Sequence, residues 1–276
     1  MDWSLVGRNS RCVSYPTSDT GYFVEVTWTS EDTKGDWVEI CSGTPFNVSG
    51  FSFTGRFDFN KTATAFVDIG IGADGSEVVI VENLRFYTNT WLVASGSTYY
   101  LPLSIPSGTR IAVRAQNSSY DQYDNVDINC NISLFPHPSF ASAPFPLHRC
   151  VTYGENVYTT TGLQFTLGAN TWGSWQLFCA AVPFNTRSMI LSLDSEVGES
   201  SPIGGAFQIG IGDPGSEYPI CSNMPTWLSY CDTGYSPNNN LFLPVEIPTN
   251  SVLSIRGKSS STTTEKDANV IAYLFG

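Results

Sequence analysis

Hydrophobic and polar residues alternate with period two in short runs along the first half of the chain, at positions 22–28, 37–41, 51–59, 64–71, 77–81, 99–105, 110–116 and 127–135. Such alternation places apolar side chains on one face of an extended strand and polar ones on the other. Clusters of Gly, Pro, Asn, Asp and Ser separate the runs, as β-turns require. About eight antiparallel strands in a segment of this length predict a β-sandwich, for which the jelly roll is the common eight-stranded arrangement.

The pattern then repeats. Arg11-Cys12-Val13-Ser14-Tyr15 returns as Arg149-Cys150-Val151-Thr152-Tyr153, and the segment from Gly35 to Cys41 returns from Gly173 to Cys179, both at an offset of 138. An offset of 140 carries Val67–Glu77 onto Phe207–Glu217, and one of 142 carries Tyr100–Arg114 onto Phe242–Arg256. Offsets that drift by a few residues reflect small insertions in loops. The reading is an all-β protein of two tandem β-sandwich, jelly-roll-like domains from an internal duplication, at residues 1–135 and 149–276. A unit of this size is an ordinary domain and far longer than a solenoid repeat. Pro136, Pro138, Pro144 and Pro146 mark residues 136–148 as an extended, fairly stiff linker.

Composition agrees with strands. Only 14% of residues are charged, Gly and Pro number 24 and 16, and Lys occurs at Lys34, Lys61, Lys258 and Lys266 alone, which leaves little material for amphipathic helices. The formal net charge of −12 opposes nucleic-acid and anionic-membrane partners, because phosphate binding draws on clustered Lys and Arg. The first ten residues lack the apolar core of a signal peptide, and no run of 18 apolar residues occurs, so a soluble, cytoplasmically made protein is expected. The sequons at Asn47, Asn60, Asn117 and Asn131 are then a product of composition.

Gly70-Ile71-Gly72-Ala73-Asp74-Gly75 matches the dinucleotide-binding fingerprint, yet the apolar run that follows it is not helical in period. We therefore expect Gly70, Gly72 and Gly75, with Gly210, Gly212 and Gly215 in the repeat, to be structural residues of a strand end and hairpin turn, and no cofactor. Cys12/Cys41 and Cys150/Cys179 share one spacing, which fits either a disulfide in each lobe or, in a reducing compartment, buried thiols; the second is preferred. His137 and His148 fall in the linker without matched partners, so neither zinc nor a histidine-based catalytic set is expected. Asp121, Asp124 and Asp127 lack EF-hand spacing and read as a solvated acidic loop.

Trp37/Trp175 and Trp91/Trp227 occupy matching places and are read as packing residues. Tyr99, Tyr100, Tyr120 and Tyr123 form the candidate contact surface, for protein or for sugar stacking. The segment from Tyr100 to Arg114, preceded by the Ile-Gly-Ile-Gly turn, resembles β-rich virion structural proteins of tailed bacteriophages. The likeness covers the second half of each copy and is weaker in the second, where Thr249-Asn250 replaces Ser107-Gly108. It implies a non-enzymatic capsid decoration, cement or tail protein that binds viral capsid or tail proteins and resides in the virion as a homo-oligomer, such as a trimer, or multivalently on a lattice. A carbohydrate-binding adhesin module at a fibre tip is the alternative.

Overall fold

The computed structural model describes residues 12–16, 23–28, 32–57, 63–88, 96–117, 127–136, 147–154, 162–195, 203–228, 239–260 and 266–276. Regular structure among them is entirely β, and it falls into two compact units. The first unit contains β1 (Val13–Tyr15), β2 (Val24–Val26), β3 (Val38–Cys41), β4 (Val48–Phe57), β5 (Ala63–Ile71), β6 (Val78–Thr88), β7 (Gly96–Leu101), β8 (Ile111–Asn117) and β9 (Ile128–Pro136). One sheet has the order β1-β9-β4-β7 with β2 also on β9, and the other the order β3-β8-β5-β6. Counting β1 and β2 as one interrupted strand, the first sheet takes strands one, eight, three and six of eight, and the second takes two, seven, four and five. That interleaving is the jelly roll, in which two Greek keys wrap around one core.

The second unit contains β10 (Cys150–Tyr153), β11 (Leu163–Ala169), β12 (Gln176–Cys179), β13 (Thr186–Ser195), β14 (Ile203–Ile211), β15 (Tyr218–Leu228), β16 (Asn239–Ile247), β17 (Leu253–Ser259) and β18 (Lys266–Phe275). Its strands follow the same order, with β12-β17-β14-β15 on one side and β10, β18, β13 and β16 on the other. One pairing is added. Strand β11 is long enough to run parallel to β17, with Leu167 opposite Gly257, while it also pairs antiparallel with β18, and this joins the two sheets along one side. Sheet ends fall at β6 in the first unit and at β15 in the second, and β15 carries Pro219 and Pro225 opposite Gly210 and Ala206.

Register decides which face is buried between the sheets. Val67, Ile69 and the partly buried Ile71 stand opposite Ala115, Val113 and Ile111, and the buried apolar set of this unit also includes Phe51, Phe53, Ile132 and Leu134 of the other sheet. Phe165, Leu191, Phe207, Ile255 and Val270 form the corresponding core of the second unit. By the same alternation, Phe66, Asp68 and Gly70 of β5 and Ala112, Arg114 and Gln116 of β8 point to the outer face. The run predicted at 77–81 extends through β6 to Thr88, because a bulge with Asn83 at φ 53° absorbs a break in alternation; Asn223 repeats it at φ 53°. At the other end of the predicted linker, Leu147 is held by a parallel bridge to Leu103, and Ser104 N donates to its carbonyl at 2.8 Å.

The matched cysteines occupy unlike environments. Cys41 and Cys179 are buried and Cys12 is exposed, so the repeated spacing does not bring Cys12 and Cys41 into one environment. The partner of Cys41 is instead Tyr15, whose hydroxyl donates to the sulfur, while Tyr153 lies beside Cys179 and donates to the Ala181 carbonyl at 3.4 Å. Burial, reinforced by Cys179, pushes the Tyr153 phenol up to about 12. Burial also raises the Cys41 and Cys130 thiols, which depletes the reactive thiolate. Alkylation of the native protein is therefore expected to modify Cys12 within minutes and to spare Cys41, Cys130 and Cys179 until denaturant is added, as peptide mass mapping would check. Equal labelling of Cys12 and Cys41 would contradict these environments.

Candidate functional site on the outer sheet face

The outer face of β3-β8-β5-β6 collects charged groups on a sheet that presents small residues at Gly70 and Ala112. Asp68 is almost wholly buried and receives three donors: Lys34 Nζ at 2.7 Å, Arg114 Nε at 2.9 Å and the Asn83 backbone N–H at 3.0 Å. Lys34 also donates to the Phe66 carbonyl at 3.0 Å. Burial lowers the Lys34 pKa, and the Asp68 charge works in the opposite direction. Arg114 lies over the Trp37 ring at 4.6 Å from its centroid. The far edge of that indole rests on Gly70, where an added Cβ would come within 2.7 Å of Trp37 Cη2. Gly70 is thus fixed by a close approach rather than by a phosphate.

The second unit rebuilds this face with different chemistry. At the offsets of the repeat, Trp37, Gly70 and Arg114 recur as Trp175, Gly210 and Arg256, while Lys34 becomes Trp172, Asp68 becomes Gln208 and Gln116 becomes Lys258. Arg256 donates through Nε to Gln208 Oε1 at 2.7 Å and lies over Trp175 at 4.3 Å and Trp172 at 5.4 Å. Lys258 Nζ sits over Trp172 at 4.9 Å. Loss of the carboxylate and of its lysine partner therefore occur together, and cation–π contacts take their place.

A second cluster distinguishes the units beside the glycine turn. Arg110 donates to Glu77 at 2.7 Å, Glu39 at 2.8 Å, Asp74 at 3.2 Å and the Gly72 carbonyl at 3.4 Å. The hydrogen bond from Arg110 holds the Glu77 carboxyl below its ordinary range. In the repeat Arg110, Glu39 and Asp74 are Val252, Leu177 and Pro214, again replaced as a group. Gly72 and Gly212 take φ +120° and +126° in the two turns, and Gly75 and Gly215 take +74° and +89°. A turn hydrogen bond closes each, from Ser76 N to the Ala73 carbonyl and from Ser216 N to the Asp213 carbonyl.

No family model matches the chain, and no curated protein matches it. Among solved structures it is similar to PNGF-II, at 11% identity and a TM-score of 0.44 over 92% of this chain, and it spans 65% of the length of that chain. It is also similar to an archaeal-virus structure described by its triple jelly roll fold and turret assembly, at 9% identity and a TM-score of 0.29, covering 98% of this chain and 60% of that one. A third similarity, at 9% identity and a TM-score of 0.27, is to the tandem CBM22 domain of Paenibacillus barcinonensis Xyn10C, over 98% of this chain and 92% of that one. The jelly-roll assignment rests on the strand pairings above.

The four tyrosines of the candidate contact surface do not share one surface. Tyr99 is 1% exposed, stacks edge-on against Phe86 at 5.4 Å, and donates its hydroxyl to the Arg85 carbonyl. Tyr100 is 48% exposed and lies 5.9 Å from Phe135. Tyr120 and Tyr123 lie outside the described residues, as do Asp121, Asp124, His137 and Trp91. At the repeat offset Tyr100 corresponds to Phe242, itself 41% exposed, so an outward aromatic occupies this place in both units. Lys34, Trp172 and Lys258 were not among the sequence-derived site residues. The signal that reveals them is the joint replacement of Lys34 and Asp68 between aligned copies.

Proposed function

We propose that the protein is a non-enzymatic structural component of a virion, a capsid decoration, cement or tail protein that binds a multi-subunit protein surface. The observation that carries this reading is the pair of jelly rolls in one chain, since that double-sheet architecture serves shell and recognition proteins. The clustered polar groups of the first unit support it further. Asp68 and Arg110 are engaged by several fixed partners each, an arrangement that holds a surface rigid rather than leaving a group poised to react. Two units on one chain suit a repeating surface, because docking of one raises the effective concentration of the other at its site. Assembly as a homo-oligomer or multivalently on the lattice belongs to the same proposal. The test is quantitative mass spectrometry of particles purified from the source that encodes the sequence. The expected result is a copy number that is a fixed multiple of the symmetry of the shell or tail. Recovery only in the particle-free fraction would overturn the reading.

A further inference from the structure

The outer face of the second unit holds two cations that form no ion pair among the described residues, in a chain of net charge −12. Arg256 spends its Nε on a neutral acceptor, and its two Nη groups have no partner there and are not among the buried unsatisfied atoms. Lys258 projects from the same side of β17, two residues further on. Register places Ala206, Gly210 and Ser254 around Arg256 and Gln208, so the cations rise from a floor of small side chains. Trp172 and Trp175, both half-buried, flank the guanidinium and fix its plane. A guanidinium held in this way has lost little further freedom when it takes a carboxylate on its Nη edge.

We propose that this face binds a carboxylated sugar of the hexuronate class. The carboxylate would sit on the Nη edge of Arg256 with the Lys258 ammonium beside it. The partly exposed indoles supply the flat apolar surface that suits a pyranose ring. An acidic peptide side chain has use for the cations alone, and a nucleic acid needs a longer run of basic residues than two. The first unit provides an internal contrast. There the cations Arg114 and Lys34 both face the Asp68 carboxylate within the sheet, which competes with an incoming carboxylate for them.

Titration of the full-length protein with trigalacturonate and with its fully methyl-esterified form, read by tryptophan fluorescence and calorimetry, tests the proposal. The free acid is expected to bind, and the ester, which keeps the rings and loses the charge, to bind at least about tenfold more weakly. Gln208→Asp imports the carboxylate of the first unit and is expected to reduce trigalacturonate binding to a similar degree. Position 208 lacks the lysine that pairs with Asp68 in the first unit, so a native far-ultraviolet circular dichroism spectrum is required of this variant, and Trp172→Ala provides a second variant that is expected to weaken binding too. No binding at about 10 mM trigalacturonate, equal binding of the ester, undiminished binding by Gln208→Asp, or preference for a polyglutamate peptide or an oligothymidylate would each overturn it. The inference stands apart from the virion reading, since particle association and sugar binding are measured separately and fail separately.

Discussion

Replacing Asp68 by alanine is expected to destabilise the first unit by roughly 3–5 kcal/mol, the cost of leaving buried charges without their partner. Three donors converge on this carboxylate, and it is 1% exposed. Lys34, at 16% side-chain exposure, has little access to water when the acid is gone, whereas Arg114 at 31% can turn outward, which places the expected loss toward the lower end. The second unit supplies the compensating change. Asp68→Gln combined with Lys34→Trp installs the arrangement of Gln208 and Trp172 and is expected to recover at least half of the loss, whereas Asp68→Gln alone recovers less. A double-mutant cycle in denaturant, with hydrogen exchange at β5 and β8 to assign the transition to the first unit, measures the coupling. A loss below about 1 kcal/mol for Asp68→Ala would mean that the ion cluster is solvated rather than structural.

Tyr99→Ala is expected to cost about 3–5 kcal/mol, as removal of a buried aromatic does. Its ring closes the Phe53–Phe86–Tyr99 chain of edge-on contacts between the two sheets. Tyr99→Phe keeps the ring and removes only the hydrogen bond to the Arg85 carbonyl, so about 1 kcal/mol is expected. Tyr100→Ala, one residue along, is expected to change stability by less than Tyr99→Ala does, by about 1 kcal/mol, because the side chain is 48% exposed on the outer face. Thermal denaturation of the three variants decides the matter, and similar losses for Tyr99→Ala and Tyr100→Ala would refute the assignment of opposite faces.

That pair also illustrates what was legible in the chain. Period two was enough to find most strands, and the repeat was enough to align the two units, because both depend on local alternation and copy-to-copy identity. Yet the same alternation forbids adjacent Tyr99 and Tyr100 from sharing a face, since successive strand residues point to opposite sides of the sheet. Grouping Tyr99 with Tyr100 as tyrosines mostly unmatched between the copies leaves parity out of account. Cys12 and Cys41 were matched by spacing, but Tyr15 is the residue that reaches Cys41, a partnership that only tertiary packing creates. Strand β1 has three residues, too few to carry a period-two pattern. The outer-face clusters became visible through substitutions that occur in sets: Lys34 with Asp68, and Arg110 with Glu39 and Asp74. Charge balance at a buried site constrains several positions at once, and two units with one strand order display two solutions to it.

The two units also differ at the strands that end their four-stranded rows. Strand β6 begins Val78-Val79-Ile80-Val81 without proline, and Val78 is 64% exposed. Among the described residues no further strand pairs with its outer row of amides and carbonyls. Strand β15 lacks the amide hydrogens of Pro219 and Pro225, and proline is tolerated there because those nitrogens point away from the ladder. Among the described residues the outer backbone row is thus continuous in donors along β6 and interrupted along β15, so the two units present unlike edges to any extended segment that meets them.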